Sequence, residues 1–342
     1  MDDMVDSSIF PPASSVYGTT LREHVLSGMQ AAPGATGQFT SLLNHISLAI
    51  RIISSRVRSA GLAGMLGYTG KQNIQGEDVL KLDEFANDVL VEALERSGHC
   101  GIIGSEELDE VRVPGSAGKY VVLFDPLDGS GNIDTNGCIG TIFAILRRQP
   151  GELLPVVDEA LRPGREIVCA GYTIYGPSTT FVLSTGHGVD GFTLDPNVGE
   201  FFLSHPNIRC PARGNTYSVN EGNYSTWAKG VQDWANAMRT PDPELGSHGL
   251  RYSGAFVLDA HRTLLKGGVF AYPADAKNGK GKLRLLYEAN PMAYILEQAG
   301  GAATDGINRM LDVQPKALHQ RTSLVLGSKD DVARFAEFAK RG

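Results

Sequence analysis

Apolar positions along the chain follow two patterns, and their alternation predicts the architecture. Beyond a Ser/Pro-rich arm (residues 1–20), Leu42, Leu43, Ile46, Ile50, Ile53 and Val57 recur at three- and four-residue steps behind a candidate cap at Thr40 or Ser41. That spacing lines one face of a helix, and Gly61 ends it. Residues 61–76 hold five glycines and no period, which predicts a functional loop. A second helix is expected over Lys81–Arg96, with Leu82, Phe85, Val89, Leu90, Ala93 and Leu94 on its buried stripe and Gly98 behind it.

Short apolar runs between turn residues then predict strands. They fall at Gly101–Gly104, Tyr120–Phe124, Ile139–Leu146, Glu166–Tyr175, Thr180–Ser184, Gly268–Tyr272 and Lys282–Tyr287. Asn290 as cap, Pro291 in the first turn and Gly300 or Gly301 behind predict a helix after the last of these. A final helix begins near Ser328 and carries Val332, Phe335, Ala336 and Phe338. Strands mixed with helices predict an α/β or α+β fold in stacked layers, mixed sheets with packed helices. A composition shift at Arg209–Asn215 divides 21–208 from 209–342.

Composition changes this picture little and partners more. The 342 residues suit about two domains. With 42% apolar and 20% charged residues, the chain has the balance of a globular protein with a large core. Its 38 acids against 31 bases argue against nucleic acid as a partner. Cys100, Cys138, Cys169 and Cys210 show no CxxC spacing and read as thiols of a reducing compartment. No apolar run is long enough to span a membrane, and the acidic start fits neither a signal nor a transit peptide. The expectation is a cytoplasmic protein.

Candidate chemistry gathers where predicted strands end. Asp125-Pro126-Leu127-Asp128-Gly129-Ser130 directly follows the run Tyr120–Phe124, at the edge where α/β sheets place ligands. Pro126 stiffens a turn that can aim Asp125 and Asp128 to one side, with the Leu127 carbonyl between them. Gly129 and Ser130 offer N–H groups to an anion. Hard oxygens beside an anion cradle fit Mg²⁺ bound with a substrate phosphate, while a solvated Asx turn is the bland alternative. Glu106-Glu107 and Glu288 also follow predicted strands. Grouped carboxylates repel unless a cation neutralises them, so a polynuclear metal site accounts for all three clusters. Glu77, Asp78 and Asp83 add acids near the second helix, where they equally suit its dipole. Arg251, Tyr252, Tyr272, Lys282 and Arg284 collect in the C-terminal half with Asn220. Lys282 and Arg284, at alternate positions of a predicted strand, share a face that could grip a second phosphate, or they are snorkelling surface cations.

These segments resemble class I fructose-1,6-bisphosphatase, within the lithium-sensitive, Mg²⁺-dependent sugar and inositol phosphatases. The resemblance rests on GEDVLKLDEFAN (76–87), GKYVVLFDPLDGSGNID (118–134), RYSGAFVLDAHRTLLKGG (251–268), GKLRLLYEANPMAYILEQAGG (281–301) and HQRTSLVLGS (319–328). It implies the layered α/β/α/β/α sugar-phosphatase fold and hydrolysis of the 1-phosphate of fructose 1,6-bisphosphate. It implies an allosteric and metal-binding domain (21–208) and a sugar-phosphate domain (209–342). Implied Mg²⁺ ligands are Glu106, Asp125, the Leu127 carbonyl, Asp128 and Glu288, with Mn²⁺ or Zn²⁺ as substitutes. Glu107 and Glu77 are implied as ligands or proton-handling acids, and Asp83 as a partner in activating water. Asp128, Gly129, Ser130 and Gly131 would surround the 1-phosphate. Asn220, Tyr252, Tyr272 and Lys282 would hold the sugar and 6-phosphate, and Arg251 would reach the 6-phosphate of a neighbouring subunit in a homotetramer. Residues 61–81 look like the family's catalytic loop. An AMP site is implied at Thr36, Gly37, Thr40, Lys119, Tyr120 and Arg147.

Several positions depart from the family pattern. Glu77 stands where Asp is usual, Gly131 replaces a serine, Phe256 replaces a methionine, and Gln38 replaces an acid beside the AMP helix. Asn223 stands where a tyrosine is common, and Tyr224 substitutes for it if the loop shifts by one residue. Asp134-Thr135-Asn136 is similar to sedoheptulose-1,7-bisphosphatases, which leaves a second substrate open. A catalytically silent AMP or metabolite sensor is the remaining alternative, against which the intact acid constellation speaks.

Overall fold

The computed structural model describes residues 18–30, 37–72, 78–114, 118–149, 156–276 and 279–341. Glu77 and Thr36 lie outside them. The N-terminal elements are α1 (Leu21–Gln30), α2 (Gln38–Val57), β1 (Tyr68–Gln72), β2 (Asp78–Leu80) and α3 (Lys81–Ser97). Seven strands follow: β3 (Cys100–Ser105), β4 (Tyr120–Asp128), β5 (Ile139–Arg147), β6 (Ile167–Tyr175), β7 (Thr179–Ser184), β8 (Asp190–Asp195) and β9 (Glu200–His205). The C-terminal part begins with β10 (Thr216–Ser218), α4 (Lys229–Arg239), β11 (Gly249–Leu250), α5 (Phe256–Lys266) and β12 (Val269–Tyr272). It ends with β13 (Leu283–Arg284), α6 (Asn290–Gln298), β14 (Ala302–Thr304), β15 (Arg321–Thr322), β16 (Leu324–Gly327) and α7 (Lys329–Ala339).

Strands β3 to β9 form one sheet in chain order, parallel between β3 and β4 and antiparallel thereafter. A second, mixed sheet has the order β11-β10-β12-β16-β14. Alternation along a strand sends successive side chains to opposite faces, and β4 shows the result. Val122 and Phe124 pack with Leu42, Ile46 and Ile50 of α2 and Leu90 of α3. Val121 and Leu123 pack instead with Phe256 and Ala260 of α5 and Met292 and Ile295 of α6. The far face of the second sheet carries a third core, in which Trp234 of α4 and Phe335 of α7 meet Val269 and Val325. The layers therefore run α/β/α/β/α, with both faces of the large sheet covered by helices.

The apolar stripes of α2 and α3 are as predicted, but α2 begins at Gln38 behind Gly37, so Thr40 and Ser41 lie inside the helix and do not cap it, and it ends at Val57, short of Gly61. Gly98 takes φ 68° behind α3, the left-handed turn that glycine enters most cheaply. Three further expectations need correction. Part of the glycine-rich segment is strand β1, paired antiparallel with β2. Lys282–Tyr287 is not a strand: only Leu283–Arg284 pair, with Arg321–Thr322, and Leu285–Ala289 form a π-helical turn running into α6. Every residue of that turn is buried, and a continuous apolar run does not separate a strand from a buried helical segment. As a result Asn290 has helical angles (φ −64°, ψ −50°) and is the first residue of α6, not its cap. Thr20, at the end of the arm expected to be loose, bridges to Phe202 of β9.

Candidate active site

The parallel pairing of β3 with β4 brings two of the acid clusters together. Glu106, just past β3, donates its N–H to the Phe124 carbonyl at 3.1 Å. Asp125 and Asp128 belong to the end of β4, not beyond it: the strand continues past Phe124 with a register shift between the two acids. Pro126 sits in that bulge, and its carbonyl accepts the Thr141 hydroxyl at 2.8 Å. Asp125 Oδ1 accepts the Leu127 N–H at 2.9 Å, and Asp128 Oδ2 accepts the Val257 N–H, in the first turn of α5, at 2.7 Å. The third cluster arrives through the π-helical turn, which carries Glu288 and lets it accept the Arg284 N–H. Carboxylate oxygens of Asp125, Asp128 and Glu288 consequently lie within 4.8 Å of one another, all three residues buried.

Burial and mutual repulsion dominate the electrostatics. Desolvation, then the charges of Glu106, Glu288 and Asp128, hold the Asp125 carboxyl well above the ordinary range. Glu288 is raised the same way, by burial and then by Glu106 and Asp128. Asp128 is pushed up to about 7, chiefly by burial, although the Val257 N–H opposes the shift. Asp83, in the first turn of α3, is raised by burial and by Glu107, with a hydrogen bond from Ser130 acting against this. Its Oδ1 is buried without a partner. Arg284 reaches the cluster from β13, its Nε 3.3 Å from Glu106 Oε1. Several anionic groups in one buried pocket disfavour full ionisation unless cations intervene. The donor set is all oxygen and matches a hard divalent ion.

A cavity of about 380 Å³ opens over these groups. Its wall contains Asp83, Glu106, Glu107, Asp125, Leu127, Asp128, Gly129, Ser130, Gly131, Tyr252, Tyr272, Lys282, Arg284 and Glu288, all named by the sequence. Gly129 has φ 77°, and a Cβ there would meet the Ala255 Cβ at 2.9 Å, so both conformation and space call for glycine. Glu107 is placed by its N–H to Ser105 Oγ (3.2 Å), while that hydroxyl donates to Asn87 Oδ1 (2.7 Å). In the same wall the Tyr252 hydroxyl bonds to Tyr272, and the Lys282 ammonium lies 5.9 Å from the Tyr272 ring centre and acts on Asp128.

The expected pairing of Lys282 and Arg284 as two phosphate cations is not what the structure shows. Lys282 is exposed, whereas Arg284 is buried and paired with Glu106, because β13 is only two residues long and the π-helical turn follows at once. Asn220, Tyr224 and Arg251 do not line the cavity. Asn220 caps a 3₁₀ turn through Gly222 N–H, Tyr224 receives a hydrogen bond from Asn236 at 2.9 Å, and Arg251 is exposed with Nη1 on the Leu250 carbonyl. Tyr68, Phe256 and Arg321 also line it and were not named as site residues. Arg321 lay within the HQRTSLVLGS match, but nothing in its spacing marked it.

A second cavity, about 530 Å³, lies between α1 and the large sheet. Tyr120 and Arg147 of the expected AMP set line it; Gly37, Thr40 and Lys119 do not, although Gly37 (φ 75°) directly precedes α2. His24 and Asp190, 3.0 Å apart, complete its wall.

The stacked layers and the acid cluster at a bulged strand end define the layered α/β sugar-phosphatase class. Residues 19–206 match the family model for the fructose-1-6-bisphosphatase N-terminal domain, and residues 210–340 match that for its C-terminal domain. The chain is 54% identical over 346 residues to a class 1 fructose-1,6-bisphosphatase of Sorangium cellulosum, covering 99% of each chain. It is 49% identical to one of Chlorobaculum tepidum, covering 94% of this chain and 97% of that one. The crystal structure of Leishmania major fructose-1,6-bisphosphatase in holo form superposes with a TM-score of 0.89 at 41% identity, over 95% of this chain and 99% of that one. The chain belongs to the class 1 fructose-1,6-bisphosphatase family.

Proposed function

We propose that this protein removes the 1-phosphate of D-fructose 1,6-bisphosphate, giving fructose 6-phosphate and inorganic phosphate, with Mg²⁺ as its working metal. The observation that carries this reading is the buried triad Asp125, Asp128 and Glu288, with oxygens within 4.8 Å. Those carboxylates, with Glu106 and the Leu127 carbonyl, would hold the metal; Glu77 and Glu107 would join them or handle protons, and Mn²⁺ or Zn²⁺ would substitute. Bound Mg²⁺ supplies charge neutralisation for the phosphate and the leaving oxygen, and acidifies water.

The chain's own residues do the rest. Gly129, Ser130 and Gly131, which line the cavity in a turn where Gly129 takes positive φ, would face the 1-phosphate. Asp83, whose carboxyl is raised by burial and by Glu107, would act with Glu107 in activating water. Tyr252, Tyr272 and Lys282 of the cavity wall would bind the sugar and the 6-phosphate; Asn220, Tyr224 and Arg251 of a neighbouring subunit, which lie outside that lining in this chain, are proposed to reach the 6-phosphate. The exposed Arg251, and the exposed Leu48 and Ile52 one turn apart on α2, support assembly into a homotetramer. AMP would bind in the second cavity against Tyr120 and Arg147, with Thr36, Gly37, Thr40 and Lys119 contributing from the same region. Among the described residues no helix is long and apolar enough to cross a membrane, and a cytoplasmic location is proposed. Domains at 21–208 and 209–342 would divide metal binding from sugar binding.

Asp134-Thr135-Asn136 favours sedoheptulose 1,7-bisphosphate as a second substrate. Asp134 accepts the Gly67 N–H at 3.2 Å, so this tripeptide touches the glycine-rich segment beside the cavity. The test is Mg²⁺-dependent phosphate release from fructose 1,6-bisphosphate, which should collapse in Asp128→Asn. Equal release by that variant would remove the acid cluster from the mechanism.

A further inference from the structure

A third concavity, of about 760 Å³, lies beside the active site, lined by Lys280, Lys316, His319 and Arg321 with Gly279, Gly281, Ala317 and Gln320. No carboxylate contributes to its lining among the described residues, although the protein as a whole carries a net charge of −7. Asp109 acts on His319, whose Nε2 lies 2.9 Å from the Leu108 carbonyl, so that ring is fixed by the loop after β3. Lys280 and Lys316 are exposed and come from two different segments of the chain that both line the concavity. Arg321 lines both this concavity and the catalytic cavity.

The geometry points to a second anion site here, for a phosphate dianion, joined to the catalytic cavity through the Arg321 wall. Two lysines and an arginine lining one concave surface concentrate positive potential, and concave low-dielectric walls focus it. Guanidinium and ammonium groups suit phosphate oxygens through charge-assisted hydrogen bonds. The site is distinct from the pocket that would take the 6-phosphate, because Lys282 and Tyr272 line the catalytic cavity and not this one. Lys280 and Lys282, two residues apart, thus serve different cavities. Resting on the proposed hydrolysis, its natural occupant is the inorganic phosphate that the reaction releases next door.

The probe is inorganic phosphate, and the protein is the full chain treated with chelator. Saturable binding is read by equilibrium dialysis, and binding in the catalytic cavity is told apart by Lys282→Ala, which removes that cavity's exposed ammonium and should leave this site intact. The expected result is one saturable phosphate site, weakened at least tenfold in Lys280→Ala/Lys316→Ala and unchanged in Arg147→Ala, which alters the second cavity. Metal-loaded kcat of the double variant, measured without added phosphate, should match the parent and shows that it is folded. Absence of saturable binding, equal binding by the double variant, or loss in Arg147→Ala instead would overturn the assignment. The binding arm requires no turnover, so its failure is separable from failure of the proposed hydrolysis.

Discussion

Replacing Asp128 by asparagine should make the metal-free protein more stable at pH 8 while abolishing its activity. In the fold the Asp128 carboxyl is pushed from 3.8 to about 7. A group whose folded pKa is raised contributes stability below its unfolded pKa, and that contribution is lost as pH rises through the folded value. The window here runs from about pH 4 to pH 7. At about 1.36 kcal/mol per unit, a difference of roughly 3.2 units corresponds to about 4 kcal/mol of destabilisation at pH 8. Asparagine keeps an oxygen for the Val257 N–H and brings no charge, so it should recover much of this. With an unfolding entropy of ~2.1 cal/mol/K per residue over 342 residues, a ΔΔG of ~4 kcal/mol shifts Tm by about 6 °C. The assay is calorimetry of chelator-treated parent and variant at pH 4, 6 and 8, then with saturating Mg²⁺. The gap should open between pH 4 and 8, and Mg²⁺ should raise Tm of the parent far more than that of the variant. A variant less stable than the parent at pH 8, or equally stabilised by Mg²⁺, would refute the reasoning.

Other substitutions separate the remaining roles. Asp83→Asn should lower kcat by about 10²–10⁴ with KM nearly unchanged, as read by steady-state kinetics. Lys282→Ala should raise KM for fructose 1,6-bisphosphate at least tenfold and leave kcat within a few-fold, since its proposed role is to bind the 6-phosphate and not the reacting group. Gly129→Ala should cost about 1–3 kcal/mol from the left-handed backbone and from the Ala255 contact, read by denaturant unfolding. Gly98→Ala should cost about 1 kcal/mol at the end of α3 and leave activity unchanged, a control for backbone strain remote from the cavity.

Much of the fold was legible because the amphipathic periods of α2 and α3 are long. Helix α3 carries a full buried stripe and a glycine stop, and β5 and β6 are continuous apolar runs. Helix α4 was missed although Val231, Trp234, Ala235 and Met238 stand at the i, i+3, i+4, i+7 spacing of a helical face; no capping side chain marks its start. Helix α5 was hidden because its residues were read as part of a family match and not as a period. The π-helical turn was misread as a strand since Leu285, Leu286 and Tyr287 are buried on every side and so carry no period. That error mattered for Arg284, whose place against Glu106 depends on the turn. The acid cluster was legible because three groups of carboxylates each followed an apolar run. The Asn87–Ser105–Glu107 link was not, because Asn87 meets Ser105 only through the packing of α3 on β3.

The central claim is that the buried carboxylate triad serves a bisphosphatase. The most direct measurement is phosphate release from fructose 1,6-bisphosphate and sedoheptulose 1,7-bisphosphate, assayed side by side with and without Mg²⁺ and AMP. The account predicts strictly Mg²⁺-dependent release from the fructose substrate, lost in Asp128→Asn. No release from either sugar at saturating Mg²⁺ would contradict it.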